Sequence, residues 1–142
     1  MFSTDGRWLA CASDETGQYE IYVQPFGRSS ASQGPRTPIS NEGGFYPVWA
    51  SNGKDLLYQS GDQIMAVSYS VKGGAFVKEK PPRPWLSKLG VTQNSGLPMW
   101  DLSQDGKRVL VVAPANAPRK ADHDLVLLQN FLDELHRRVL RN

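Results

Sequence analysis

FSTDGRWLACAS, residues 2–13, decides how this chain is read. A bulky apolar residue leads two small or polar ones, then Asp5-Gly6, a cation and a run of strand-formers. The pattern returns as WASNGKDLLYQS over residues 49–60 and as LSQDGKRVLVVA over residues 102–113. The glycines Gly6, Gly53 and Gly106 lie 47 and 53 residues apart, near the ~40–50 residues of a four-stranded propeller blade. One Asp-Gly pair is a weak signal. Three in one frame, with matching flanks, are a strong one.

The signature has a local chemistry. A two-residue hairpin turn of the primed type needs positive φ at both central positions, which Asn, Asp and Gly tolerate best. Asp5-Gly6, Asn52-Gly53 and Asp105-Gly106 are therefore expected as turns, with Arg7, Lys54 and Lys107 at their wet ends. The apolar run after each is expected to be an inner strand, apolar on both faces because stacked sheets are covered on both sides.

The intervening pieces continue the pattern. After DETG comes QYEIYVQPF, in which Tyr19, Ile21 and Val23 alternate with Glu20, Tyr22 and Gln24. QIMAVSYS and DLVLLQNF read as further strands, GGFYPVWA and LPMWDLS as first strands of their units. RTPIS and AFVKEKPPRPWL read as outer strands, where proline is tolerated at an edge. Trp8, Trp49 and Trp100 sit in or beside the repeated unit and are expected in the core, whereas Trp85 falls on an outer strand. The last stretch has helical spacing, with Leu128, Leu132, Leu135 and Val139 on one face, Asn130 as cap and the charges ordered to suit the helix dipole.

The fold class expected is all-β: a partial β-propeller of about three blades of four-stranded antiparallel sheet, with a short C-terminal helix. The blades are placed at about residues 1–43, 44–97 and 98–131, and the helix at about 131–140.

Composition agrees with a folded, turn-rich β protein. Of 142 residues 39% are hydrophobic and 21% charged, and Gly (13) and Pro (10) are plentiful. A net charge of +2 is too weak to argue for nucleic acid or an anionic membrane as partner. The single Cys11 excludes an internal disulfide and reads as a small buried thiol in a strand. No stretch has the ~18 apolar residues of a membrane span and no signal peptide opens the chain, which leaves the compartment open between periplasm and cytoplasm.

No catalytic set emerges. A serine hydrolase would need G-x-S-x-G, which is absent, and nothing aims His123 or His136 at a nucleophile. Asp122, His123 and Asp124 are adjacent on a loop and point apart, so no metal is expected. The carboxylate pairs Asp14-Glu15 and Asp133-Glu134 fall in a turn and a helix first turn. KEKPPRPW reads as an outer strand with its connection rather than as a proline-rich ligand. Neither an enzyme nor a cofactor is expected. The candidate interaction surface is the loops, carrying Asp14, Glu15, Asp62, Arg119, Lys120, Asp122 and His123, together with the connection at residues 90–96.

FSTDGRWLACASDETGQYEIYVQPF, GGFYPVWASNGKDLLYQSGDQIMAVSYS and DLSQDGKRVLVVAP together resemble TolB-like β-propeller repeats. The likeness is to the last blades of the propeller that follows the kinase domain in many bacterial serine/threonine protein kinases, and VLLQNFLDELHRRV is similar to how those chains end. The family's usual proline between Ser and Asp is replaced by Thr4, Ser51 and Gln104. The resemblance implies a bacterial, non-catalytic binding or scaffold module, working in protein–protein interaction or ligand sensing. The alternative is a regulatory C-terminal fragment of such a kinase, since no nucleotide loop or catalytic loop is present. Such propellers have six or more blades, so these three are expected to belong to a longer chain or to complete a ring with a second copy.

Overall fold

The structure, a computed structural model, describes residues 1–27, 34–91 and 97–113. Among them every element is β: three antiparallel sheets of three, five and two strands, with no helix. The expected helix at residues 131–140, the strand DLVLLQNF, and Arg119, Lys120, Asp122 and His123 lie outside the described residues.

The first sheet runs β1 (Trp8–Ser13), β2 (Glu20–Pro25), β3 (Thr37–Pro38) in that order. Phe2 bridges Leu9, so the residues before the first turn run antiparallel beside β1. The second sheet holds β4 (Phe45–Trp49), β5 (Asp55–Ser60), β6 (Gln63–Lys72), β7 (Ala75–Lys78) and β8 (Arg83–Leu86). The stretch AFVKEKPPRPWL is therefore two short strands rather than one outer strand. The ten-residue β6 accommodates both, pairing with β8 at Ile64–Ala66 by Cα register and with β7 from Tyr69 to Lys72. The third sheet is the hairpin of β9 (Trp100–Leu102) and β10 (Val109–Val111).

The strands' two-residue period explains how the sheets stack. On β5, Leu56 and Tyr58 face one way and join Trp8, Ala10, Ile21, Val23, Ile39, Trp49, Val67 and Phe76 in a core between the first and second sheets. Leu57, between them, faces the other way and joins Ala50, Ile64, Ala66, Leu89, Val91, Trp100 and Val111 in a second core. The middle sheet is thus covered on both faces, and the strand following Asn52-Gly53 is apolar on both faces for that reason. Each fully buried aliphatic chain there is worth about 1.5–3 kcal/mol.

Trp8, Trp49 and Trp100 are buried as expected. Trp8, Trp49, Tyr69 and Phe76 form one aromatic cluster, with Trp8 and Phe76 edge-on at 5.5 Å and Tyr69 stacked on Phe76 at 4.9 Å between ring centroids. Trp49 Nε1 donates to the Met1 carbonyl at 3.1 Å, which ties the first two sheets. Trp85, on β8, is half-buried against the second core. Cys11 is half-buried, not buried, because its place on β1 turns it away from the core that Ala10 enters.

Candidate functional site

The three repeated turns share one backbone geometry, and it differs from the two-residue primed turn expected. Ser3 N donates to Trp8 O and Gly6 N to Ser3 O, both at 2.9 Å. Ala50, Asp55 and Gly53 repeat this in the second copy, and Ser103, Arg108 and Gly106 in the third. Each connection is thus a four-residue loop built on a β-turn. Only the glycine takes positive φ, at +70°, +63° and +68° for Gly6, Gly53 and Gly106. Asp5, Asn52 and Asp105 keep negative φ because their side chains do another job. Each accepts from the amide two residues on: Arg7 N at 3.1 Å, Lys54 N at 2.8 Å, Lys107 N at 3.0 Å.

Hydroxyls complete the turns. Ser3 Oγ donates to Asp5 at 2.6 Å and accepts from Trp8 N at 3.0 Å, and Ser103 does the same with Asp105 and Arg108. The second copy has Ala50 instead of serine, and there Asn52 takes over, accepting from Asp55 N and donating to Asp55 Oδ2. The Ser3 hydroxyl, aided by the Arg7 amide and guanidinium and opposed by slight burial, holds the Asp5 carboxyl down at about 2. Asp105 is likewise lowered, first by Ser103. Asp5, Gly6, Asn52, Gly53, Asp105 and Gly106 thus build the turns.

Strands β1 and β5 carry the chain from the turns to the opposite end, where Asp14, Glu15 and Asp62 of the expected interaction loops lie. Asp14 closes the β1–β2 turn, its carbonyl accepting from Gly17 N at 2.9 Å. Glu15 is ion-paired with Arg36, which also donates to Gln24. Asp62 is a clamp: its carbonyl accepts from Leu89 N and its Oδ1 from Gly90 N, both at 2.7 Å.

Beside the Asp14 turn opens a cleft of ≈ 550 Å³, lined by Thr16, Gly17, Gln18, Glu20, Tyr22, Pro38, Ser40 and Asn41. Tyr22 and Pro38 are opposite one another in register. At its base is Glu20, only 5% exposed. Glu20 Oε1 accepts from Gln18 Nε2 at 2.5 Å and from Gly43 N at 3.0 Å, and Oε2 accepts from the Ser40 hydroxyl. Ser40 Oγ in turn accepts from Ile21 N at 2.8 Å. Gly44 lets the loop come this close: a Cβ there would meet Ile21 Cγ1 at 2.7 Å and Ser40 Oγ at 2.8 Å. Burial first, then the negative charges of Glu20 and Glu42, push the neighbouring Tyr58 phenol up to about 12.

The alternation expected for QYEIYVQPF breaks at its start. Tyr19 is 46% exposed and leans on Phe45 with ring centroids 5.1 Å apart, while Glu20 is buried. The strand begins at Glu20, so Tyr19 precedes the pleat, and the loop carrying Ser40 and Gly43 folds over the carboxylate. Nothing local in the sequence distinguishes Glu20 from an ordinary surface strand residue.

A second depression, of ≈ 490 Å³, is lined by residues including Lys54, Asp55, Ser68, Tyr69 and Glu79. Its Asp55 has Arg83 at 3.8 Å and the Ser68 hydroxyl at 2.7 Å. Among the described residues no group of three or more His, Cys, Asp or Glu is gathered as for a metal ion, and no helix is long and apolar enough to cross a membrane. Compared with family models, curated proteins and solved structures, the chain matches none.

Proposed function

We propose that the chain is a non-catalytic binding or scaffold module made of TolB-like propeller blades. The observation that carries this reading is the two-sided burial of the middle sheet, flanked by sheets that open on the same turn. Stacking of that kind, repeated, is how a propeller is built. A rigid stack presents its loops as a binding surface, and here the cleft lies beside such a loop.

The two outer sheets each keep an apolar face. On the first, Phe2 and Phe26 are 53% and 50% exposed, with rings 4.6 Å apart. On the third, Leu110 and Val112 are 46% and 52% exposed. These faces support self-association, a second copy stacking head to tail so that each open face is covered as the middle sheet's are. Sedimentation at micromolar concentration tests it. The expected result is a discrete multimer that Phe2→Lys or Leu110→Lys dissociates. A folded monomer that is unaffected by either change overturns the ring reading.

A further inference from the structure

Glu20 is a buried carboxylate with no ion-pair partner among the described residues. Its donors are an amide side chain, a hydroxyl and a backbone amide. Arg36, on the segment leading into β3, has its guanidinium engaged by Glu15 and Gln24. The other depression differs in this respect, because Asp55 has Arg83. A carboxylate offers about four acceptor positions, and three on Glu20 are taken. Buried charge is costly unless compensated, and hydrogen bonds from neutral donors compensate it only in part.

The fold does not require a carboxylate at this position. Glu20 pairs with Ser13 as the last register pair of β1 and β2. The same place in the second sheet, paired with Ser60, is Gln63, which is neutral and exposed. The repeat therefore builds the same strand end without charge. The first sheet adds the charge, covers it with the Ser40–Gly43 loop and leaves a cleft over it.

We infer that this cleft is a binding site for an organic cation bearing N–H donors, an ammonium or guanidinium on an aliphatic stem. Glu20 Oε2 accepts from the cation, and the stem lies along Tyr22 and Pro38. The hydroxyls and amides of Thr16, Gln18 and Asn41 surround the head group. A cation near the Tyr22 ring gains from its π face as well. A volume of ≈ 550 Å³ leaves ample room for one long side chain or a small free amine. The site lies within the first sheet and its loop, so it does not rest on ring closure.

The test follows backbone amides by heteronuclear NMR while the full chain is titrated with three probes: N-acetyl-lysine methylamide, its neutral counterpart N-acetyl-norleucine methylamide, and free pentylamine. Saturable shifts are expected at Gly17, Gln18 and Gly43 with the lysine probe, and about tenfold weaker binding of the norleucine probe. Pentylamine binding as well as the lysine probe identifies a free amine as sufficient; pentylamine binding much more weakly identifies a peptide side chain. Glu20→Gln should weaken lysine binding about tenfold or more. Tyr22→Leu, on the cleft wall, should weaken it several-fold and decides the matter if Glu20→Gln does not fold. Equal binding of lysine and norleucine probes, or no saturable shift up to about 20 mM, overturns the proposal. Sedimentation of the same samples keeps failure of the ring reading separate from failure of this one.

Discussion

The first and second sheets begin alike and end differently. Their opening turns superimpose in hydrogen bonding although one uses Ser3 and Asp5 and the other Ala50 and Asn52. At the far ends, Glu20 is buried under a loop where Gln63 is open to solvent. Turn geometry can be reached by several side-chain sets, because all they must do is satisfy nearby backbone amides. A buried carboxylate has no such latitude. The proposed cation site lies where the repeated units diverge in charge and burial rather than where they agree.

The comparison can be broken first in the core. Leu56→Ala removes a side chain between the first and second sheets, Leu57→Ala one between the second and third. Each should cost about 2–5 kcal/mol in urea unfolding. A cost below about 1 kcal/mol for Leu57→Ala alone would mean that the third sheet contributes little cover. A smaller contrast separates the strand ends. Glu20→Ala strands the Ser40 hydroxyl and the Gly43 amide and should cost about 1–3 kcal/mol, whereas Gln63→Ala should stay within about 0.5 kcal/mol. Similar costs at both positions would remove the distinction drawn between the two sheets.

The smallest effect concerns acid. Asp5 titrates at about 2 in the folded chain against 3.8 for the free side chain. A lowered folded value means that the unfolded chain binds the proton first. The contribution is therefore full above pH ~4 and is lost as pH falls toward 2. Asn52 has no charge to lose. Asp5→Asn should accordingly narrow the difference in unfolding midpoint between pH 5 and pH 2, by a modest amount because the turn is solvated. A variant with an unchanged pH dependence would show that the Ser3–Asp5 pairing adds nothing that Asn52 does not.

Much of the architecture was legible from turn chemistry and strand period. The three turns, the strands that follow them and the burial of Trp8, Trp49 and Trp100 all stand where the pattern puts them. The turn type is not legible locally, because Asp-Gly and Asn-Gly satisfy two geometries and the choice rests on where the side-chain oxygen finds its donor. The split of the outer strand into β7 and β8 followed from the length of β6, which no local rule sets. The cleft is half legible: the Asp14–Glu15 turn beside it reads as a loop from its residues, whereas Glu20, Tyr22 and Ser40 carry no local signal.

By itself, then, the sequence determined what acts over a few residues: the three glycine-dependent turns, the alternation of the strands and the all-β class. Only the tertiary structure decided which residues are buried on which side, and that Glu20 is among them. The reason is distance along the chain. The Asp5 amide donor is two residues away, whereas Ser40 and Gly43 reach Glu20 from 20 and 23 residues off. That meeting depends on the β2–β3 pairing and on Gly44 leaving room for the loop.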